Sequence, residues 1–181
     1  MKLAAIQGIR GSYSEEAALQ MLGASVELIE CSDFSSTFEA LRSKCAKYAV
    51  VPLRNKIVGP IDAVAELLGQ NEFEIIEEFD LKINHILAGP TGAVMEDVHC
   101  VISHSEALKQ CSLFLAGHPH ITCIVGGDTA SSVSRVVREN VIQNAAIGSV
   151  RAAKIYGANI LCENISNEKN NRTTFGLITL K

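Results

Sequence analysis

The chain has 181 residues, of which 48% are hydrophobic and 20% are charged, and its net charge is -4. The high apolar content and small net charge argue against a disordered chain, and the length suits one compact unit or two small lobes. A mildly acidic chain without a Lys/Arg cluster is a poor nucleic-acid binder. No apolar run approaches the roughly 20 residues that a membrane span needs. The N-terminal strand is too short for a secretion signal, so we expect a cytoplasmic protein.

The cysteines show no pattern of paired ligands. None of them forms a C-x-x-C pair, and no histidine lies at zinc-ligand spacing from them. We therefore predict small buried thiols in a reducing compartment and no metal, with a disulfide or a metal site as the alternatives. The six residues are Cys31, Cys45, Cys100, Cys111, Cys123 and Cys162.

Short apolar runs alternate with helical patterns along the chain, which is typical of a parallel α/β sheet. Strands are predicted at 3–7, 26–29 and 49–53, each followed by a helix, and Pro60 suits the first turn of the third helix. A long β-like stretch from 73 to 88 interrupts the alternation. The remaining strands are predicted at 98–102, 121–125, 145–147, 160–162 and 174–180.

Polar residues mark the predicted helix starts. Ser36 with Glu39, and Ser103 with Glu106, fit capping boxes. Asp128 fits a simple N-cap before the helix that follows the strand at 121–125. We expect these positions to accept the first unpaired backbone N–H groups of their helices.

The interrupted alternation predicts two α/β lobes. Residues 1–79 with 163–181 would form the first lobe, and residues 80–162 would form the second. Two segments, near Leu81 and at 166–173, would cross between them. Two crossings make a hinge, and ligands favour the cleft between hinged lobes.

Three loops place small polar residues where a helix begins, at 11–14, 103–105 and 128–130. Helix N-termini can hold carboxylates without Lys or Arg, so loops that share a cleft would suit a small, multiply anionic ligand. Ordinary helix capping is the alternative for each loop.

Two further features could carry chemistry. His104 lies just past a strand in a polar loop, where it could donate a proton or bind a carboxylate, or be a surface or capping residue. At 170–175, polar residues lead directly into an apolar strand. Asn and Thr there could bind a ligand by hydrogen bonds or organise a turn.

Read together and in order, these segments resemble the prephenate dehydratase family across essentially the whole chain. The matches are GSYSEEAA at 11–18 for the family's GPxGTFSxxAA, VPLRNK at 51–56 for VPIENS, SHSEALKQC at 103–111 for SHPQALxQC, DTA at 128–130 for STA, AAIG at 145–148 with a following AA and YG, and NRTTF at 171–175 for NxTRF.

The resemblance implies an α/β, two-lobed fold like that of periplasmic binding proteins, with a central cleft. It implies a reaction without metal or cofactor, in which prephenate loses carbon dioxide and its ring hydroxyl to give phenylpyruvate for phenylalanine synthesis. By analogy we expect a possible homodimer. The resemblance covers the catalytic domain, and we expect no C-terminal ACT regulatory domain in this chain.

The resemblance also assigns candidate residues. Thr173 maps to the key polar residue near the leaving hydroxyl, and Asn55 and His104 complete the catalytic candidates. The substrate-binding candidates are Gly11, Ser12, Arg54, Lys56, Ser103, Thr129, Arg172, Thr174 and Phe175.

Three positions depart from the family pattern. Arg54 replaces the Glu of VPIENS, Lys56 replaces its Ser, and Thr174 replaces the Arg of NxTRF. The last change removes a guanidinium that could bind a carboxylate in bidentate geometry. Three functions stay open: a dehydratase with a remodelled carboxylate site, a prephenate decarboxylase giving a non-aromatic product, and a non-catalytic module that binds small carboxylates.

Overall fold

The computed structural model of the chain describes residues 3–181, which divide into two compact units. Unit one contains the residues up to Ile9 together with Tyr13–Ile83 and Asn171–Lys181. Unit two contains Arg10–Ser12 and Asn84–Asn170.

The elements alternate along most of the chain. The strands are β1 Leu3–Gln7, β2 Glu27–Cys31, β3 Tyr48–Asn55, β4 Gly59–Pro60, β5 Phe73–Lys82, β6 Ile86–Gly89, β7 Cys100–Ser103, β8 Thr122–Val125, β9 Asn144–Gly148, β10 Asn159–Cys162 and β11 Arg172–Leu180. The α-helices are α1 Tyr13–Leu22, α2 Phe34–Arg42, α3 Asp62–Leu68, α4 Ser105–Gln110, α5 Ser112–Ala116, α6 Thr129–Glu139 and α7 Val150–Tyr156, and a 3₁₀ turn covers Met95–Asp97.

Unit one is built on a mixed sheet with the strand order β2-β1-β3-β11-β5, and β4 pairs with the end of β3. Strands β2, β1 and β3 are parallel, whereas β11 runs antiparallel to both β3 and β5. The α/β class is confirmed, but the expectation of a parallel sheet is wrong. The reason is that the C-terminal strand enters the sheet in the reverse direction between two strands from the N-terminal half.

Helices cover both faces of this sheet, because alternate residues of each strand point to opposite faces. On β1, Ala4 and Ile6 pack against α1, whereas Ala5 belongs to the cluster around α2 and α3. On β3, Val50 faces α1 and Val51 faces the other layer. The central strands β1 and β3 therefore have near-continuous apolar sequences, as expected for strands that are buried on both sides.

Unit two has a five-stranded sheet with the order β10-β6-β9-β7-β8. Strands β9, β7 and β8 are parallel, and β6 pairs antiparallel with both β9 and β10. Its core includes Leu87, Val101 and Ile147 from the strands with Ala107 and Cys111 beside α4. Among residues 3–181, no helix is both long enough and apolar enough to cross a membrane.

The predicted caps are partly wrong. Asp33, not Ser36, caps α2: its Oδ1 accepts the Ser36 backbone N–H at 2.7 Å, and Ser36 is the partner within the box. His104, not Ser103, caps α4, because Ser103 is still the last residue of β7. Asp128 is confirmed as the cap of α6.

Two other local predictions also fail. Pro60 does not begin a helix: it pairs with Arg54 in the short strand β4, and the helix starts two residues later. The segment after β7 forms two helices, α4 and α5, which are divided at Cys111. All six cysteines are free, but only Cys31 and Cys111 are buried.

Replacing the cap of α2 tests the first of these corrections. We expect Asp33→Ala to lower the free energy of unfolding, because an N-cap acceptor is lost. Asp33→Asn is the matched control, since its amide oxygen can still accept the Ser36 N–H. Urea denaturation of both variants is the measurement, and equal stability of Asp33→Ala and the wild type would contradict the assignment.

His85 should make unit two sensitive to acid. Burial lowers the pKa of His85. Its Nε2 lies 3.0 Å from Gln110 Oε1, and this hydrogen bond opposes the lowering of the pKa. Below the ordinary histidine pKa of about 6.5, the unfolded chain therefore binds more protons than the folded one. The free energy of unfolding should thus fall as pH drops below that value.

Denaturant titrations between pH 7.5 and 5.5 measure this dependence. We expect His85→Gln to flatten the slope, since glutamine does not titrate and can still pair with Gln110. His99→Gln changes an exposed histidine of the same unit and should keep the slope. A wild-type slope in His85→Gln would show that another group causes the acid sensitivity.

Candidate functional site

A buried polar cluster lies where β3 ends and β11 begins in unit one. Asn55 is the last residue of β3, and Thr173 is its partner in register on β11. Asn171 directly precedes β11. Asn55, Asn171 and Thr173 are 8%, 1% and 7% exposed. The cluster lies at the carboxyl end of the parallel strands, the edge at which open α/β sheets bind ligands.

The Asn55 side chain joins these residues. Its Nδ2 lies 2.8 Å from Thr173 Oγ1, 2.9 Å from Asn171 Oδ1 and 3.2 Å from the Arg172 carbonyl oxygen, and it donates to all three. Below it, the Lys56 backbone N–H donates to the same Arg172 carbonyl at 2.9 Å. The Asn55 side-chain amide thus links the end of β3 to the start of β11.

The turn between β3 and β4 fixes the other end of the Asn55 amide. Asn55 Oδ1 accepts the backbone N–H of Ile57 at 2.9 Å and that of Val58 at 3.2 Å. Gly59 follows with φ of +91°, a left-handed conformation that favours glycine, and pairs back with Asn55. The tight turn therefore directs two backbone N–H groups at Asn55 Oδ1.

Arg54 and Thr174 occupy the next rung of the sheet and face each other in register. The Arg54 guanidinium forms an ion pair with Glu78 on β5 at 3.0 Å, and its side chain is 57% exposed. Thr174 is buried and donates its hydroxyl hydrogen to Asp80 on β5. Both predicted substrate-binding side chains therefore have partners within the sheet.

The other candidates of unit one divide by burial. Lys56 and Arg172 are exposed, and each is next in sequence to a cluster residue. Phe175, in contrast, is 2% exposed and packs in the core against α1. The alternation along β11 directs its side chain into the apolar layer, and its role as a substrate contact stays a prediction.

In unit two, Gly11 and Ser12 belong to a loop that is held against α7. Ser149 Oγ donates to the Gly11 carbonyl at 2.8 Å, and Tyr156 donates to the Arg10 carbonyl at 2.6 Å. Gly11 has φ of +89°, and a Cβ there would lie 2.8 Å from Ala152 Cα. The glycine is thus required for the close approach of this loop to the helix.

The remaining candidates of unit two follow its parallel strands. Ser103 is fully buried and donates to the Ile147 carbonyl at 2.8 Å, so its hydroxyl hydrogen is used in a bond to strand β9. His104 is exposed, and its Nδ1 accepts the Glu106 N–H at 3.2 Å. Thr129 is half-buried in the first turn of α6, beside the cap Asp128.

Sequence reasoning missed two participants, Glu78 and Asp80, which bond to Arg54 and Thr174. These β5 carboxylates carry no local signal. Asn171 belongs to the polar run at 170–175 that was singled out as a possible ligand contact, and the structure shows it bonded to Asn55. In the part of the chain that the structure describes, no group of three or more His, Cys, Asp or Glu side chains could hold a metal ion.

Comparisons with known proteins identify the family of this chain. The family model for prephenate dehydratase matches residues 4–181. Arogenate dehydratase/prephenate dehydratase 1, chloroplastic, from Arabidopsis thaliana is 40% identical over 169 residues, covering 93% of this chain and 43% of the relative. The bifunctional chorismate mutase/prephenate dehydratase of Buchnera aphidicola subsp. Schizaphis graminum is 32% identical over 177 residues, covering 96% of this chain and 46% of the relative.

A solved structure gives the same result. The prephenate dehydratase from Arthrobacter aurescens, in complex with L-Phe, superposes with a TM-score of 0.90 at 27% identity, covering 99% of this chain and 60% of that one. The chain spans less than half the length of the curated relatives described above. The matching family model, the identities and the shared fold together place this chain in the prephenate dehydratase family.

Proposed function

We propose that this chain catalyses the decarboxylative dehydration of prephenate to phenylpyruvate. In this reaction the bond to the ring carboxylate breaks, carbon dioxide leaves, and the electron pair completes the aromatic ring as the ring hydroxyl departs. The departing oxygen gains negative charge and must take up a proton to become water. The observation that supports the proposal most is the buried Asn55–Thr173 pair at the strand ends.

Thr173 is the proposed donor to the departing oxygen. A hydroxyl fixed in a buried, low-dielectric place can stabilise charge that develops in the transition state without having to reorganise. Thr173 satisfies this requirement, because it is 7% exposed and its oxygen is anchored by Asn55 at 2.8 Å. The hydroxyl acts by hydrogen bonding, and the proton that completes the water comes from another group.

Lys56 and Arg172 are the proposed carboxylate ligands of unit one. Both are exposed cations, and their backbones are joined by the 2.9 Å hydrogen bond from Lys56 N–H to the Arg172 carbonyl. Two positive residues thus lie next to Asn55 and Thr173 along the chain. Arg54 is less suited to the role, since Glu78 already neutralises its guanidinium.

His104 is a proposed catalytic residue of unit two that donates a hydrogen bond to the substrate. Because its Nδ1 accepts the Glu106 N–H, the ring hydrogen on Nε2 is available to a ligand. Thr129 and the Gly11–Ser12 loop remain proposed substrate contacts. Ser103 is proposed only as a support for the strand that precedes His104, because its own hydrogen is donated to Ile147.

Arogenate is a second candidate substrate, because the 40%-identical relative is named for both arogenate and prephenate. The two acids share the ring carboxylate and the leaving hydroxyl, so the same Thr173 chemistry would serve either. The cytoplasmic location, the homodimer, the lobe boundaries of 1–79 with 163–181 and 80–162, and the absence of a cofactor stay predictions.

Removing the Thr173 hydroxyl tests the proposed function. Thr173→Val keeps the side-chain shape, and we expect kcat for prephenate to fall by about 100-fold or more, as when one transition-state donor is lost. Thr173→Ser is the matched control and should keep most of the activity. Phenylpyruvate formation from prephenate, and phenylalanine formation from arogenate, are the measurements. Turnover at the wild-type rate by Thr173→Val would disprove the role.

Arg54 and Thr174 should behave as one coupled pair. The family motif has Glu and Arg at these positions, and the register places the two side chains opposite each other. Thr174→Arg alone would set a second guanidinium opposite Arg54 and remove the bond to Asp80, so it should destabilise the fold. Adding Arg54→Glu would turn repulsion into attraction.

A double-mutant cycle by chemical denaturation measures this coupling. We expect the double variant to be more stable than the sum of the single variants, by about 0.5–1 kcal/mol. Arg42→Glu, which alters an arginine that is ion-paired to Glu72 elsewhere in unit one, is the control and should show no coupling to Thr174→Arg. Simple additivity of Arg54→Glu and Thr174→Arg would contradict the pairing.

A further inference from the structure

We propose that Asn55 is a positioning residue that sets the direction of the Thr173 hydroxyl, so that Thr173 donates a hydrogen bond to the ligand. This inference rests on the proposed function for its kinetic consequence. The hydrogen-bond geometry on which it is based belongs to unit one alone.

The orientation of the Asn55 amide is the first step. An amide oxygen and nitrogen are assigned from their surroundings, and here two backbone N–H groups, of Ile57 and Val58, point at one end of the side chain. Backbone N–H groups can only donate, so the atom that they meet must be the oxygen. The Nδ2 group is thereby directed toward Thr173 and Asn171.

The direction of the Thr173 hydroxyl follows from the amide. Asn55 Nδ2 can only donate, so Thr173 Oγ1 must accept at the 2.8 Å contact. A threonine hydroxyl has a single hydrogen, which must then point away from Asn55. Within residues 3–181 the structure gives this hydrogen no acceptor. The hydrogen is therefore left for a ligand atom.

Burial makes this arrangement persistent. Asn55, Asn171 and Thr173 are each less than a tenth exposed, so water competes poorly for their hydrogen bonds. Reversing the Asn55 amide would place its nitrogen against two N–H donors and its oxygen against Asn171 Oδ1. Each buried group that is left unpaired destabilises the fold, so the reversed state is disfavoured before any ligand binds.

Asn55→Asp separates this role from a merely structural link between β3 and β11. The introduced carboxylate has nearly the same shape and can still accept from Ile57 and Val58, but it cannot donate to Thr173. The Thr173 hydrogen should then turn toward the carboxylate and be lost to the ligand. We expect kcat at pH 7.5 to fall by about 100-fold with KM changed only a few-fold.

The pH profile supplies a signature that a structural role would not produce. As pH is lowered toward the pKa of the introduced carboxyl, the protonated form regains a donor. The ratio of variant to wild-type kcat should therefore rise as pH falls. A ratio that is independent of pH, or a kcat near that of the wild type at pH 7.5, would overturn the inference.

Asn167→Asp is the matched control. In unit two, Asn167 Nδ2 donates to the Ser112 hydroxyl at 2.9 Å and its Oδ1 accepts the Leu113 N–H at 3.0 Å, so the same chemical change removes the same kind of hydrogen bond. Its kcat and pH profile should match the wild type. A loss like that of Asn55→Asp would overturn the inference, because the effect would then not be specific to Asn55.

A second measurement does not depend on turnover. Nuclear magnetic resonance of asparagine side-chain amides, with Asn55 assigned by its loss in Asn55→Asp, should show slow exchange for the Asn55 amide. Thr173→Val should shift this signal and speed its exchange, and Thr173→Ser should not. An Asn55 amide that is indifferent to Thr173→Val would overturn the inference. If the wild-type chain turns over neither prephenate nor arogenate, the proposed function fails while this measurement still decides the hydrogen-bond direction.

Discussion

The insertion of β11 between β3 and β5 is the constraint on which unit one depends. It carries residues 171–173 to the end of a strand formed more than a hundred positions earlier, where the Asn55 amide meets them. The ladder on both sides of β11 fixes the backbone, and the alternation of its side chains then sends Phe175 into the core. The same register that completes the core therefore sets the position of the polar cluster.

The departures from the family motif have a physical explanation in this sheet. Arg54 replaces an acid, and its guanidinium forms an ion pair with Glu78 on β5. Thr174 replaces an arginine, and its buried hydroxyl donates a hydrogen bond to Asp80. The β5 carboxylates thus satisfy both changed positions, and the neighbouring Asn55 and Thr173 keep their own partners. The altered rung and the candidate site share a strand pair without sharing hydrogen bonds.

Local patterns predicted much of the architecture. Strand β1 and the Asp128 cap were both identified, since each depends on a few adjacent residues. The Asp33 cap was missed because Ser36, its partner in the box, has the same capping chemistry. The reversed direction of β11 and the break at Cys111 depend on distant packing, which a single sequence does not encode locally.

The sequence predicted which residues belong to the candidate site, but not how their side chains are bonded to one another. Asn55 and Thr173 were both named from the resemblance, yet only their pairing across the sheet reveals which atom donates and which accepts. Glu78 and Asp80 were invisible beforehand, because an exposed acidic strand has the same pattern whether or not its carboxylates bind neighbours. Long-range register is what turns the separate motifs into one network.

A crystal structure of the chain with an unreactive prephenate analogue that keeps the ring hydroxyl is the sharpest test of the role of Thr173. We expect the ring hydroxyl oxygen to lie within hydrogen-bond distance of Thr173 Oγ1, about 2.5–3.0 Å, with the Asn55 contact preserved on the other side of the Thr173 hydroxyl. A ligand bound elsewhere, with no atom near Thr173, would contradict it.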